Sequence, residues 1–198
     1  DRVSFRVEKT THQLCHAACA ALTSPFEECV VMVMDGAGDK FSTSFWFYSD
    51  SKIDVIPNSE SLNSESLGLL YYAVTKLCGF DAERGEEWKV MGLAAHGKED
   101  QRIYNFFKSR IQVNGLLIKL RFEDSWAENL QDICGQFRDA KDPDILKSAD
   151  LAFNFQRAWT DIVCELVHNV GLLGLSQNLA FAGGCALNSS ANGKILKG

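Results

Sequence analysis

Six consecutive apolar residues, Cys29 to Met34, run without a polar break into Asp35-Gly36. A half-exposed strand alternates apolar and polar positions, so a run that is apolar on both faces needs cover on both sides. The run predicts a buried strand at the heart of a layered domain. Phe41 to Tyr48, rich in aromatic and hydroxyl residues, reads as a second strand, and Lys52 to Pro57 as a third. The links are short, which predicts an antiparallel meander.

Helical patterns surround the meander. Thr10 or Thr11 can cap a helix through about Leu22, with Leu14, Ala17, Ala18, Ala21 and Leu22 as its apolar stripe, before Ser24-Pro25 stops it. Ser59 to Ser66 reads as a polar loop. Leu67 to Leu77 reads as a helix closed by Gly79, Ile103 to Ile111 as another, and Leu116 to Phe122 as a short strand. Residues 123 to 147 are mostly polar and carry no periodic signal. Leu151 to Leu166 is the clearest long helix, with Phe153, Phe155, Ala158, Trp159, Ile162, Val163 and Leu166 on a broad buried face. Asn178 to Ala182 reads as a strand and Asn188 to Lys197 as a helix. The order predicts a mixed α/β sheet covered on both faces.

Bulk properties remove several classes. With 198 residues the chain is long enough for one sizeable domain or two small lobes. A net charge of −6 and no Lys/Arg stripe argue against a large nucleic-acid footprint. No segment approaches the ~20 apolar residues of a membrane span, so no membrane partner is expected. Seven cysteines without a C-x-x-C pair, four of them in apolar runs (Cys29, Cys78, Cys134, Cys164), fit a reduced, cytoplasmic compartment. The chain starts at Asp1, not Met, and reads as a piece of a longer polypeptide.

Four segments offer chemistry. His12 and His16 stand one helical turn apart, so both rings can converge on one ion; the spacing fits ordinary helix-surface histidines as well. Asp35-Gly36-Ala37-Gly38 ends the buried strand with a carboxylate and a turn whose N–H groups can face a phosphate, or with a plain hairpin turn. Ala182-Gly183-Gly184-Cys185-Ala186-Leu187-Asn188 joins a strand to a helix. There a ligand can lie against bare backbone, and Asn188 can cap the helix or bind that ligand. Cys185 lacks a visible activating base and reads as structural. Glu87-Trp88-Lys89-Val90-Met91-Gly92-Leu93-Ala94-Ala95-His96-Gly97 mixes charge, apolar residues and glycine, which a short amphipathic helix also explains.

In this order, these segments resemble the carbamoyltransferases of nodulation-factor and antibiotic biosynthesis. The resemblance rests on His12-x-x-x-His16-Ala17-Ala18, Ser24-Pro25-Phe26, Val33-Met34-Asp35-Gly36, Ser66-Leu67-Gly68, Glu87 to Ala94, Ala182 to Asn188 and Ala191-Asn192-Gly193-Lys194. It runs along nearly the whole chain and thins between about 100 and 147. Where relatives read Ala-Pro-Tyr-Gly, this chain has Ala94-Ala95-His96-Gly97.

The resemblance implies a lobe of the actin-like ATPase and sugar-kinase (ribonuclease H-like) fold. Residues 1–28 would close a first lobe and carry a metal-binding helix. Residues 29–198 would form most of a second lobe, with an insert at about 80–147, and a C-terminal adenylate-forming domain would lie outside the chain. The implied reaction passes a carbamoyl group from carbamoyl-adenylate, made from carbamoyl phosphate and ATP, to a hydroxyl of a small acceptor. His12 and His16 would hold an iron-like divalent metal or zinc, with an Asp from beyond residue 198 as third ligand. Asp35, Gly36 and Gly38 would line the phosphate side, Gly183, Gly184 and Asn188 the nucleoside side, with Glu87 and Lys89 near the nucleotide. The chain alone is expected to be inactive, and a homodimer is left open. Threonylcarbamoyl transfer to tRNA and a non-catalytic nucleotide-binding lobe are the alternatives.

Overall fold

A computed structural model describes residues 3–197. Strand β1 (Cys29–Met34) is the centre, and all six of its residues are buried. It runs antiparallel to β2 (Phe41–Ser49), from Cys29 opposite Tyr48 to Met34 opposite Thr43. β3 (Lys52–Val55) pairs with β2 through a turn at Asp50 and Ser51, whose φ values of 51° and 61° are both left-handed. That primed geometry matches the twist of the strands. The short β4 (Ser61–Leu62) also joins β2.

Two layers cover the sheet, as an all-apolar β1 requires. Cys29, Val31 and Val33 point to one face, where α1 (His12–Thr23) packs through Ala17 and Ala21 together with Trp46. Val30, Met32 and Met34 point to the other, larger core. That core holds α2 (Leu67–Leu77), α3 (Glu87–Leu93), α4 (Gln101–Lys108) and the long α6, which runs from Ala149 to Gly171. Phe155 and Trp159 of α6 meet Tyr71 of α2 edge-on at 5.0 and 5.8 Å, a geometry that aromatic quadrupoles favour. None of the described helices is long and apolar enough to cross a membrane.

The polar loop expected over Ser59 to Ser66 contains strand β4, and three further readings change. Helix α4 stops at Lys108, and Ile111 begins β5 (Ile111–Asn114), which pairs antiparallel with β6 (Leu117–Leu120). Gly115 turns that hairpin at φ 61°, so Asn114-Gly115 marks a turn that the apolar residues on either side obscure. Residues 123 to 147 contain α5 (Trp126–Cys134), whose Leu130 is buried. Helix α6 extends past Leu166 to Gly171 because Val167 and Val170 continue its apolar face.

The loop after α5 is fastened by one side chain. Arg138 is buried, donates from Nε to the Cys78 carbonyl at 3.0 Å and from Nη2 to the Gly79 carbonyl at 2.8 Å, and stacks over Phe80. These are the unpaired carbonyls at the end of α2. Arg138→Ala is expected to lower stability by about 2–4 kcal/mol, because it leaves those carbonyls without their donors. Urea denaturation of the variant measures it.

The sheet is completed by β7 (Leu179–Ala182), parallel to β1 with Val30 opposite Leu179 and Val33 opposite Ala182. The strand order is therefore β3-β2-β1-β7. Helix α7 (Ser189–Ile195) follows, capped by the Asn188 side chain. Parallel pairing sets the carboxyl ends of β1 and β7 side by side, which brings Asp35-Gly36 next to Gly183-Gly184.

Candidate metal centre and adjoining cleft

Asp35 follows the last residue of β1, and α1 crosses the sheet so that one side of the helix overhangs it. The N-terminus of α1 is set by two side chains. Thr11 Oγ1 accepts from the Leu14 N–H at 3.3 Å, and Asp39 Oδ2 accepts from the His12 N–H at 2.8 Å. With α1 so placed, His12 Nε2 lies 2.8 Å from Asp35 Oδ2, His16 Nε2 lies 3.0 Å from the same oxygen, and the two Nε2 atoms are 3.1 Å apart. The rings meet at 77°, each turning its nitrogen to one point.

Hydrogen bonds alone do not account for this triangle. A carboxylate oxygen only accepts, so each ring must donate its Nε2–H to it. Both nitrogens are then donors, and their mutual contact is unfavourable. A cation in the middle removes the conflict, because all three atoms then direct lone pairs at it. Metal–nitrogen and metal–oxygen bonds of about 2.1 Å at right angles place adjacent donors about 3 Å apart. The three separations fit one face of such a site. Two neutral imidazoles and a carboxylate suit iron(II) or zinc. Among the described residues this is the one group of three or more His, Cys, Asp or Glu side chains whose ligating atoms converge.

The other oxygen of Asp35 faces the opposite way. Oδ1 accepts from the Gly36 N–H at 2.8 Å and from the Gly184 N–H at 3.2 Å. Burial pushes the Asp35 carboxyl upward, but the contacts with His12, the Gly36 and Gly184 N–H groups and His16 outweigh it and hold the group below its ordinary range. The carboxylate is therefore charged at neutral pH and fixed at both oxygens.

A cleft of about 460 Å³ opens beside it. Asp35, Gly36 and Gly184, joined by hydrogen bonds, form its polar end, Glu87 and Asn188 also line it, and Tyr71, Trp88, Met91 and Trp159 are among its apolar walls. Gly68 lets α2 approach: a Cβ there would stand 2.8 Å from the Gly36 Cα. Asn188 caps α7 through the Ala191 N–H and exchanges two hydrogen bonds with Gln156, each of 3.1 Å. The Tyr71 hydroxyl donates to the Gln156 Oε1 at 2.7 Å. Cys185 lies in the same wall. Burial pushes its thiol up to about 12, so it is protonated and a poor nucleophile at neutral pH.

The site residues singled out in the sequence divide into three groups. His12, His16 and Asp35 converge. Gly36, Glu87, Gly184 and Asn188 line the cleft with Asp35, and Gly183 sits behind it against Met34. Gly38 and Lys89 do neither. Gly38 packs against Gln13 and the His12 ring, while Lys89 pairs with Glu86 at 2.5 Å and lies over Phe80 and Trp88. The carboxylate facing both rings belongs to this chain, whereas the resemblance drew one from beyond residue 198. Tyr71 and Trp159 also line the cleft, although in the sequence each falls in a helix pattern where it reads as ordinary core, and Gln156, a polar residue in the long helix, supports Asn188 without any motif to mark it.

Residues 3–198 match the family described as Carbamoyltransferase N-terminus. The chain is 34% identical over 196 residues to an uncharacterised protein of Synechocystis, covering 94% of this chain and 31% of that protein. It is 30% identical over 196 residues to nodulation protein NolNO of Sinorhizobium fredii, covering 97% and 27%. It is 30% identical over 189 residues to nodulation protein NolO of Bradyrhizobium diazoefficiens, covering 93% and 33%. The chain thus spans about a third of the length of the curated relatives it matches.

Proposed function

The chain belongs to the carbamoyltransferase N-terminal family, and from that premise we propose that it forms one wall of an O-carbamoyl transfer site. In this reading His12, His16 and Asp35 hold a divalent ion, and the adjoining cleft holds the carbamoyl-adenylate that donates to a hydroxyl of a small acceptor. The adenylate itself is assigned to another domain of the whole protein, working from carbamoyl phosphate and ATP. The order β3-β2-β1-β7, antiparallel until its last pair, supports an actin-like ATPase type of lobe.

One observation carries the reading: Asp35 belongs to the imidazole triangle and to the cleft at once. Its Oδ2 faces the two rings, and its Oδ1 anchors the Gly184 backbone that lines the cleft. A phosphate or carbamoyl oxygen at the polar end of the cleft therefore adjoins the ion site. The bound ion supplies positive charge that polarises such an oxygen. The chain's own residues do the rest. Gly36 and Gly184 leave the backbone bare for close approach, and Tyr71, Met91 and Trp159 exclude water around the nucleoside.

The test uses the full-length protein with carbamoyl phosphate, ATP and a panel of small alcohols, with carbamoylated product read by mass spectrometry. His12→Ala is expected to lose the bound ion and to slow transfer about a thousandfold. A full-length protein that holds no ion, with transfer untouched by His12→Ala, would overturn the reading.

A further inference from the structure

Where the two imidazoles sit depends on where α1 sits along the sheet. Apart from one residue, the buried stripe of that helix is alanine: Gln13, Ala17 and Ala21 repeat at every fourth position. Beyond the partly buried Leu14, the apolar contacts of α1 are methyl groups, which interdigitate little, so apolar contact opposes sliding of the helix only weakly. Gln13 is the polar exception, 4% exposed and immediately next to His12.

Its amide is held at both ends. Nε2 donates to the Phe41 carbonyl at 2.7 Å, and Oε1 accepts from the Ser44 hydroxyl at 2.7 Å. Ser44 Oγ in turn accepts from the Trp46 indole N–H at 2.8 Å. An indole nitrogen can only donate, so Ser44 must accept there and pass its own proton to Gln13. The amide is thereby forced to present its NH2 group to Phe41. Trp46 thus fixes the direction of the whole chain, and Ser44 and Trp46, two apart on β2, share one face of the sheet. All three side chains are buried. Gly38 makes the space: a Cβ there would stand 3.1 Å from Gln13 Nε2 and 3.2 Å from the His12 ring.

We propose that the Trp46–Ser44–Gln13 relay is a positioning device that locks α1 in register and so sets the affinity and symmetry of the ion site. The proposal rests on reading His12, His16 and Asp35 as that site. Gln13 is a positioning residue, acting through the backbone it shares with His12.

The experiment is a cobalt(II) titration of the full-length protein, following the visible absorption bands and the dissociation constant, with circular dichroism and thermal melting alongside. Gln13→Met keeps the length of the side chain and removes both hydrogen bonds. It is expected to weaken cobalt binding about tenfold and to alter the bands at temperatures where the protein remains folded. Trp46→Phe keeps most of the ring packing and removes only the N–H, so a smaller loss of the same sign is expected; it decides the matter if Gln13→Met does not fold. Folded variants with wild-type affinity and bands, beside a His12→Ala that binds no cobalt, would overturn the relay and leave the metal reading standing. A wild-type protein that binds no cobalt would overturn both.

Discussion

Asp35→Asn in the full-length protein is expected to strip the ion site while leaving the fold in place. Asparagine has nearly the same shape, and its oxygen can still accept from the Gly36 and Gly184 N–H groups that hold Asp35 Oδ1. Its NH2 group then replaces the oxygen that both imidazoles approach at 2.8 and 3.0 Å. Two donors would face two rings, and the one negative charge among the three ligands would be gone. A loss of at least about a hundredfold in metal affinity is expected, from removal of a ligand and of its charge together. Metal analysis after dialysis against a weak chelator reads it directly. Retention of a full equivalent of metal would show that Asp35 is not a ligand. The carboxyl is held below its ordinary range, so the stability its hydrogen bonds contribute is present at neutral pH. It is lost only in acid, as the pH falls through that lowered value. Asp35→Asn should therefore lower stability modestly at pH 7 and converge with wild type in strong acid.

Gly183→Ala is expected to be severely destabilising. Gly183 adopts φ 88° and ψ 168°, a region open in practice to glycine alone. A Cβ there would stand 2.2 Å from the Met34 carbonyl oxygen, a backbone atom in the central strand that cannot yield. Strain and clash together should cost about 3–5 kcal/mol. The relief available is to push the β7–α7 turn outward, which breaks the bond from the Gly184 N–H to Asp35. Denaturant unfolding should thus show a large loss of stability, accompanied by weaker metal binding. Gly92→Ala is the control: nothing lies within 4 Å of a Cβ there, and its position inside α3 favours alanine. A Gly183→Ala variant as stable as Gly92→Ala would refute the argument.

Elements with one strong physical signature were legible in the residues. The six apolar residues of β1 forced a covered sheet, and both covering layers are present. The long stripe of α6 and the helix of α2 follow from periodicity in the same way. Strand β6 was legible as the apolar run from Leu116, but its partner β5 and helix α5 were not. Ile111 continues an apolar helical spacing, and α5 has a single fully buried side chain, Leu130, too little pattern to stand out in polar surroundings. Within the site, the i and i+4 spacing of His12 and His16 was enough to suggest converging rings, because a helix fixes that geometry locally.

What the sequence by itself determined is therefore local: two imidazoles on one helical turn, a carboxylate at the end of a buried strand, and glycines at the end of another. Their meeting was decided by tertiary structure. Parallel pairing of β1 with β7 places Gly184 beside Asp35, though 149 positions separate them in the chain. The seating of α1 on the face opposite the main core brings Asp35 under both rings. The reason is that helix and strand periodicities follow from neighbouring backbone geometry, whereas the register of one element against another is set by packing and buried hydrogen bonds between residues far apart in sequence.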